Sequence, residues 1–98
     1  MLIPNQVYTI KMNSGEELIA KVIQATENFI QVSEPVSIAP GPQGMGMIPS
    51  MFTADPTSEV RINTNNVAIV ALTDDSIKIK YIEATTGIKL PEKKIILG

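Results

Sequence analysis

The most constraining feature of this sequence is a run of six consecutive apolar residues, Val67 to Leu72. A strand without polar residues is buried on both faces, or on one face by its own core and on the other by a partner. Branching at Cβ favours extended backbone, and Val67, Ile69 and Val70 are all branched there. We therefore expect a strand whose edge promotes association with another chain.

Alternation of apolar and polar residues, and short apolar runs, predict more strands before this one. In chain order they are Val7 to Met12, Glu17 to Gln24, Phe29 to Val32 continuing through Val36 to Ile38 after a break at Pro35, and Ile48 to Thr53. Val60 to Ile62 is interpreted, together with Val67 to Leu72, as material of the last strand, which makes five strands. Turns are expected at Asn13 to Glu16 and at Thr26 to Asn28. Residues 40–47 are interpreted as a flexible, uncharged loop. The second strand is apolar on both sides, which fits a sheet curled back on itself.

Two interpretations of the segment after Leu72 remain open. Asp74 to Ser76 suit a helix N-terminus and Gly87 suits the end of a helix, so a helix from about Asp75 to Thr86 is expected. The competing interpretation is a strand, with Ile77, Ile79 and Tyr81 in strict alternation. The tail, 91–98, is either one more edge strand or a disordered end.

Composition limits the chemistry available to the chain. Its 98 residues suit one domain, and a 44% hydrophobic content with four aromatic residues indicates an aliphatic core. With no cysteine and no histidine, the chain has no cysteine nucleophile and lacks the commonest general base and the commonest metal ligand. We expect no enzyme activity, no cofactor and no metal site. The acidic pairs Glu16–Glu17 and Asp74–Asp75 are better explained as turn and helix-cap residues than as catalytic or magnesium-binding groups.

Charge and hydropathy narrow the possible partners. No run of about 20 apolar residues is present and the start does not resemble a signal peptide, so a cytoplasmic protein without membrane contact is expected. A net charge of −2 argues against a broad phosphate-binding surface. Lys78 with Lys80, and Lys93 with Lys94, are interpreted as solvated positions because no aromatic residues lie between them.

Two segments carry a resemblance to a known family. Asn13 to Val22 is a glycine turn followed by a strand that begins with charged residues and a leucine, and Ile62 to Val67 reads Ile-Asn-Thr-Asn-Asn-Val. Together with the strand order, they resemble the two motifs of the Sm-like family, in a version similar to the divergent members encoded by bacteriophages. The resemblance covers about 7–72. It implies a single mainly β domain: a strongly bent, five-stranded antiparallel barrel, here with a short C-terminal helix.

The resemblance also implies a function. Sm-like proteins form rings of six or seven subunits and hold single-stranded RNA without catalysis. The matching RNA-binding positions here are Asn28, Phe29, Asn63 and Thr64. Asn63-Thr64 replaces the arginine and glycine of the family motif, which removes a charged donor and a stacking plane. Two alternatives remain: the asparagines, with Asn65 and Asn66, serve only as turn residues, and the ring is a structural or protein-interaction module without RNA.

A subunit interface follows from the same resemblance. Head-to-tail pairing of the fourth and last strands of neighbouring subunits generates a closed ring. The interface residues expected from this arrangement are Met51, Phe52, Val67, Ile69 and Val70. Methionines around residues 45–51 pack adaptably, so the alternatives for this region are a ligand site or a mobile loop over the core. For a phage-encoded protein, the compartment would be the cytoplasm of the host cell.

Overall fold

The structure, a computed structural model, describes residues 2–55 and 57–87. Its elements are β1 (Val7–Met12), β2 (Glu17–Ala25), β3 (Phe29–Gly41), β4 (Gly44–Pro49), β5 (Glu59–Asn63), a 3₁₀ turn (Thr64–Asn66), β6 (Val67–Leu72) and α1 (Asp75–Thr86). The protein is therefore mainly β. The expected tail, 91–98, with Lys93 and Lys94, lies outside the described residues.

All the strands belong to one antiparallel sheet in the order β4-β3-β2-β1-β6, with β5 paired to β3. Strand β3 organises this arrangement because it is 13 residues long. One side of β3 pairs with β2, and the other side pairs first with β5, over Phe29–Ser33, and then with β4, over Val36–Gly41. β4 and β5 thus lie end to end along the same strand.

The sheet is strongly bent but open. β5 and β6 lie on opposite sides of the sheet, yet only the three residues of the 3₁₀ turn separate them along the chain. The four Cα–Cα steps from Asn63 to Val67 span about 14 Å at most, so the two edges must approach each other at this corner. Within the described residues no strand pairing closes the sheet, and six strands are present. The predictions of a closed barrel and of five strands were therefore wrong.

The additional strand is formed by the segment that was expected to be a flexible loop. Gly41 pairs with Gly44, so Pro42 and Gln43 form a two-residue hairpin loop, and Gly44 has a φ of +108° that favours glycine. β4 then ends at Pro49, and proline cannot donate to a strand ladder. The predicted strand from Ile48 to Thr53 was wrong for this reason, and Met51 and Phe52 lie in the connection between β4 and β5.

The predicted break at Pro35 is confirmed, and it changes the face that β3 presents. Glu34 has a φ of +51°, and the pairing with β2 skips from Ser33 to Val36. Before the break, Ile30 and Val32 are buried in the curl of the sheet; after it, Val36 is buried on the outer face. One strand therefore supplies side chains to two cores.

The two cores lie on opposite faces of the sheet. The inner core fills the concave side and consists of Tyr8, Ile10, Leu18, Ala20, Val22, Ile30 and Val32. The outer core lies beneath α1 and consists of Val7, Ile19, Val36 and Tyr81, with Ile38, Met47, Ile77 and Ile82 packed against it. The apolar residues on both faces of β2 are explained by this arrangement, because Ala20 faces one core and Ile19 the other.

The segment after Leu72 forms a helix in the structure, and not the strand of the competing interpretation. The Asp74 carboxylate accepts hydrogen bonds from the backbone of Ser76 and Ile77, and Gly87, with a φ of +75°, ends the helix. These are the N-cap and the left-handed C-terminal residue that the sequence suggested. No helix among the described residues is long and apolar enough to cross a bilayer.

Tyr81 holds α1 against the sheet. Its side chain is only 3% exposed. The hydroxyl accepts a hydrogen bond from the backbone N–H of Lys21 at 3.2 Å and donates toward the carbonyl oxygens of Glu34 and Ser33, at 2.9 and 3.2 Å. These groups lie where the pairing of β2 and β3 is irregular, at the Glu34–Pro35 break. Tyr81 thus gives backbone groups of both strands a hydrogen-bond partner from α1.

The titration of Tyr81 should make stability depend on alkaline pH. Burial raises the pKa of Tyr81 from 10.0 to about 12. Between these values the folded state retains a proton that the unfolded state has lost, so this contribution is complete below pH 10 and is lost as the pH rises toward 12. We expect the wild type to be more stable than Tyr81→Phe below pH 10, and the difference between their free energies of unfolding to shrink as the pH rises toward 12. Denaturant unfolding of both proteins across this pH range measures it. A difference independent of pH would contradict this expectation.

Candidate nucleic-acid interface

The candidate site lies at the corner where the two sides of the sheet approach each other, on the 3₁₀ turn and the two loops beside it. The side-chain oxygen of Asn63 accepts a hydrogen bond from the backbone N–H of Asn65 at 2.9 Å. This bond caps the turn and explains why an asparagine precedes it. The turn interpretation therefore accounts for one of the two polar groups of the Asn63 side chain.

The loop between β2 and β3 is bonded to this turn. Thr64 donates its backbone N–H to the carbonyl of Asn28 at 3.0 Å and its hydroxyl to the carbonyl of Glu27 at 2.8 Å. The loop itself is a tight turn, because the Thr26 hydroxyl accepts from the backbone of Asn28 and Phe29, each at 3.2 Å. Asn28 is thereby held next to Thr64 with its side chain exposed.

The loop between β1 and β2 is bonded to the turn from the other side. Asn13 donates its backbone N–H to the carbonyl of Asn66 at 2.7 Å and its side-chain amide to the carbonyl of Asn65 at 2.8 Å. Three segments distant in sequence are thus joined by main-chain hydrogen bonds. The corner is one hydrogen-bonded surface, and four exposed side chains lie on it: Asn28, Asn63, Asn65 and Asn66.

The structure brings all four sequence-predicted binding residues together at this corner. Phe29 and Asn63 are directly paired across β3 and β5. Asn28 and Thr64 are joined by the hydrogen bond described above. The Phe29 side chain is half-buried. A partly exposed aromatic ring beside amide groups has the chemical elements of a base-binding surface, because the ring can stack and the amides offer paired donors and acceptors.

Arg61 is a site residue that the sequence prediction missed. Its guanidinium carbon lies 4.5 Å from the centre of the Phe29 ring, a cation–π contact. Arg61 is two residues before Asn63, so both side chains are on the same face of β5. The alternation of Glu59, Arg61 and Asn63 was the available signal, but the pairing of β5 with Phe29 was needed to place the arginine. A cation and a stacking plane are therefore present beside the corner.

A row of polar side chains continues from Arg61 along the outer face of the sheet. Gln24 donates to Gln31 at 3.3 Å, and Gln31 donates in turn to the carboxylate of Glu59. Glu59 is two residues before Arg61 on the same strand, and Glu27 adds a second carboxylate from the loop at the corner. The corner therefore has no positive excess, and contacts to a polyanion would depend more on stacking and hydrogen bonds than on charge.

One carboxylate of each acidic pair noted in the sequence has a hydrogen-bond partner. Glu16 accepts a hydrogen bond from the Ser37 hydroxyl at 2.6 Å. Asp74 caps α1, and hydrogen bonds from the side chain of Ser76 and the backbone of Ile77 lower the pKa of its carboxyl. Among residues 2–55 and 57–87, no group of three or more His, Cys, Asp or Glu side chains is placed to hold a metal ion.

The five predicted interface residues fall into two groups. Val67 and Val70 are partly buried and pack against the inner core. Ile69, Met51 and Phe52 are 62%, 49% and 79% exposed. Ile69 and Leu72, both 62% exposed, therefore carry the exposed apolar character of β6. Met51 and Phe52 belong to a different surface, beside the end of α1.

These features are all that identifies the site. No protein-family model matches the chain, and no curated protein does either.

Proposed function

We propose that this chain is a Sm-like subunit of a homo-oligomeric ring that holds short single-stranded RNA at the corner formed by Asn28, Phe29, Asn63 and Thr64, without catalysis. The observation that carries the proposal is the convergence at one corner of the loop after β2 and the turn after β5. These two segments contain the residues expected from the Sm-like resemblance. They are far apart in sequence and directly bonded in space.

The strand order supports the Sm-like part of the proposal. Without β4, the remaining strands are five, in the order β5-β3-β2-β1-β6, and their sheet is bent until its two sides approach at the 3₁₀ turn. β4 forms a hairpin with the second half of β3 and is an addition to this arrangement. The proposal thus treats the Gly41–Gly44 hairpin as an insertion between the third and fourth strands of a Sm-like sheet.

The Phe29–Arg61 pair supports the RNA part. The family motif has arginine where this chain has Asn63, and Arg61 supplies a guanidinium from the same face of the same strand. An aromatic ring with a stacked guanidinium offers a plane to an unpaired base. The exposed amides of Asn28 and Asn63 can bond the edge of that base.

Replacement of the stacking pair tests this function. Labelled oligo(U) and oligo(A) are titrated against the wild type, Phe29→Leu and Arg61→Gln, with fluorescence anisotropy as the readout. A stacked base contributes roughly 1–3 kcal/mol, so each variant should weaken binding by about fivefold or more. Asn63→Ala should also weaken binding several-fold, but it removes the cap of the turn and is the less specific variant.

The matched control is Lys78→Gln, which removes one positive charge from α1, away from the corner. It should bind like the wild type if the site is local. Equal losses in Lys78→Gln and Arg61→Gln would indicate a general charge effect. No saturation by wild type at tens of micromolar with either oligonucleotide would reject RNA binding.

The second candidate is a structural or protein-interaction ring without an RNA site. The net charge of −2 and the carboxylates of Glu27 and Glu59 beside the corner favour it. The ultraviolet spectrum of the purified protein separates the two candidates. With two tyrosines and no tryptophan, any nucleic acid retained during purification would dominate the absorbance near 260 nm.

A further inference from the structure

A groove lies beside the start of β5, which lines it with Val60, whereas the RNA corner is at the other end of this strand. It is a cavity of about 400 Å³ between the last turn of α1, at Ala84 and Thr85, and the connection that carries Met51 and Phe52. Its floor includes the Pro35 region, where β3 changes face. None of the residues proposed to bind RNA belongs to it.

The groove exposes a large apolar side chain. Phe52 is 79% exposed and Met51 49%. A phenylalanine this open in an apolar groove is typical of a surface that another segment covers. Neither residue belongs to a strand or helix, so the packing of the sheet does not require them to be apolar.

The charge of the groove indicates what covers it. The lining includes the carboxyl groups of Glu34 and Asp55, and it has no lysine or arginine within the part of the chain that the structure describes. Hydrogen bonds from the backbone and the hydroxyl of Thr57 lower the pKa of Asp55, so this carboxyl is ionised at neutral pH. The complementary ligand is an apolar segment that also carries positive charge.

The chain contains such a segment directly after α1. Residues 88–98 follow Gly87, and within them Lys93-Lys94-Ile95-Ile96-Leu97 joins two cations to three apolar residues. Ile96 is nine Cα–Cα steps beyond Gly87, a reach of roughly 30 Å when extended. Since Ala84 and Thr85 already line the groove, this length is sufficient for the segment to return to it.

We propose that the groove is the docking site for Lys93 to Leu97 of the same chain. The apolar triplet covers Phe52 and Met51, and the two lysines face Glu34 and Asp55. This surface is independent of the RNA corner and of β6, so the proposal goes beyond the proposed function.

Disulfide trapping tests the docking directly, because the chain has no cysteine of its own. The test variant of the full chain is Phe52→Cys with Ile96→Cys. The control is Asn65→Cys with Ile96→Cys, since Asn65 is exposed and lies beyond the opposite end of β5 from the groove. Both are oxidised mildly with oxidised glutathione, and intrachain disulfide is measured by mass spectrometry and non-reducing electrophoresis.

We expect the test pair to close at least about tenfold faster than the control pair, because docking raises the effective concentration of one thiol at the other. The difference should disappear in denaturant. Reversing the tail charges with Lys93→Glu and Lys94→Glu should slow the test pair several-fold. Equal rates for the two pairs in the folded protein would overturn the proposal, and so would disulfides that join two chains, which place the segment on a neighbour.

A spectroscopic measurement repeats the test without cross-linking. Ile96→Trp introduces the one tryptophan of the chain, and its emission should be blue-shifted in the folded protein. The additional substitution Phe52→Asp, at an exposed position that does not contribute to either core, should return the emission to that of a solvated tryptophan. An emission that is solvated from the start would overturn the proposal.

Discussion

Replacing Tyr81 with alanine should lower the free energy of unfolding by about 3–5 kcal/mol, the range for large buried aromatic side chains. Two losses combine in this variant. The outer core loses its largest side chain, which packs with Ile19 and Val36. The backbone N–H of Lys21 and the carbonyl of Glu34 also lose the hydroxyl that bonds them. Denaturant unfolding monitored by circular dichroism measures the effect.

Tyr81→Phe separates these two losses. It keeps the ring and removes the hydroxyl, so the expected cost is the unpaired N–H and carbonyl alone, about 1–3 kcal/mol. Lys80→Ala is the control at an exposed position of α1, and it should change stability much less. A cost below about 1 kcal/mol for Tyr81→Ala would show that α1 does not stabilise the sheet through this residue.

The elements with local signals were predictable from the sequence. The alternation of Val7 to Met12 and the glycine turn after it gave β1, the turn and β2, because a hairpin is specified by neighbours in sequence. Gly15 has a φ of +99°, as such a turn requires. The caps of α1 were readable for the same reason, although periodicity alone did not exclude a strand.

The long-range features were not predictable. Nothing near Glu34 signals a left-handed residue, so the change of face in β3 was invisible, although Pro35 marked the break. The segment from Gly44 to Pro49 has the composition of a loop and becomes a strand because it pairs with the second half of β3. Tertiary pairing overrides weak local propensity in such segments, and the extra strand was missed.

The candidate site was likewise predictable only where the sequence carries a local signal. The resemblance selected Asn28, Phe29, Asn63 and Thr64, and the fold places them at one corner. Arg61 was overlooked because its contact with Phe29 depends on the register between β3 and β5, which no local pattern specifies. The structure also shows why the turn interpretation and the binding interpretation of Asn63 are compatible: one side-chain oxygen caps the turn, and the amide nitrogen is a separate donor.

The second large expected effect concerns assembly. Ile69→Lys should convert the proposed ring to monomers. β6 pairs with β1 on one side, and in the proposed ring its other side pairs with β5 of the next subunit. Ile69 is 62% exposed, so the folded subunit tolerates a lysine there. In the ring, the same lysine would lie on the paired edge at every interface, because each subunit contributes one copy of β6, and a lysine on an edge strand opposes pairing with another chain.

Light scattering or analytical ultracentrifugation at micromolar concentration measures the mass of each protein in solution. If the ring has the six or seven subunits that the Sm-like resemblance implies, the mass of Ile69→Lys should be about six- or sevenfold lower than that of the wild type. Ile3→Lys is the matched control, since it makes the same substitution at an isoleucine that is 56% exposed and lies outside the strands. It should leave the assembly intact. A wild-type protein that is already monomeric, or an Ile69→Lys variant that keeps the wild-type mass, would rule out a ring built on this edge.

Because the RNA corner is made within one subunit, a monomeric Ile69→Lys variant should still bind a short oligonucleotide, though more weakly than a ring that presents several corners to one strand.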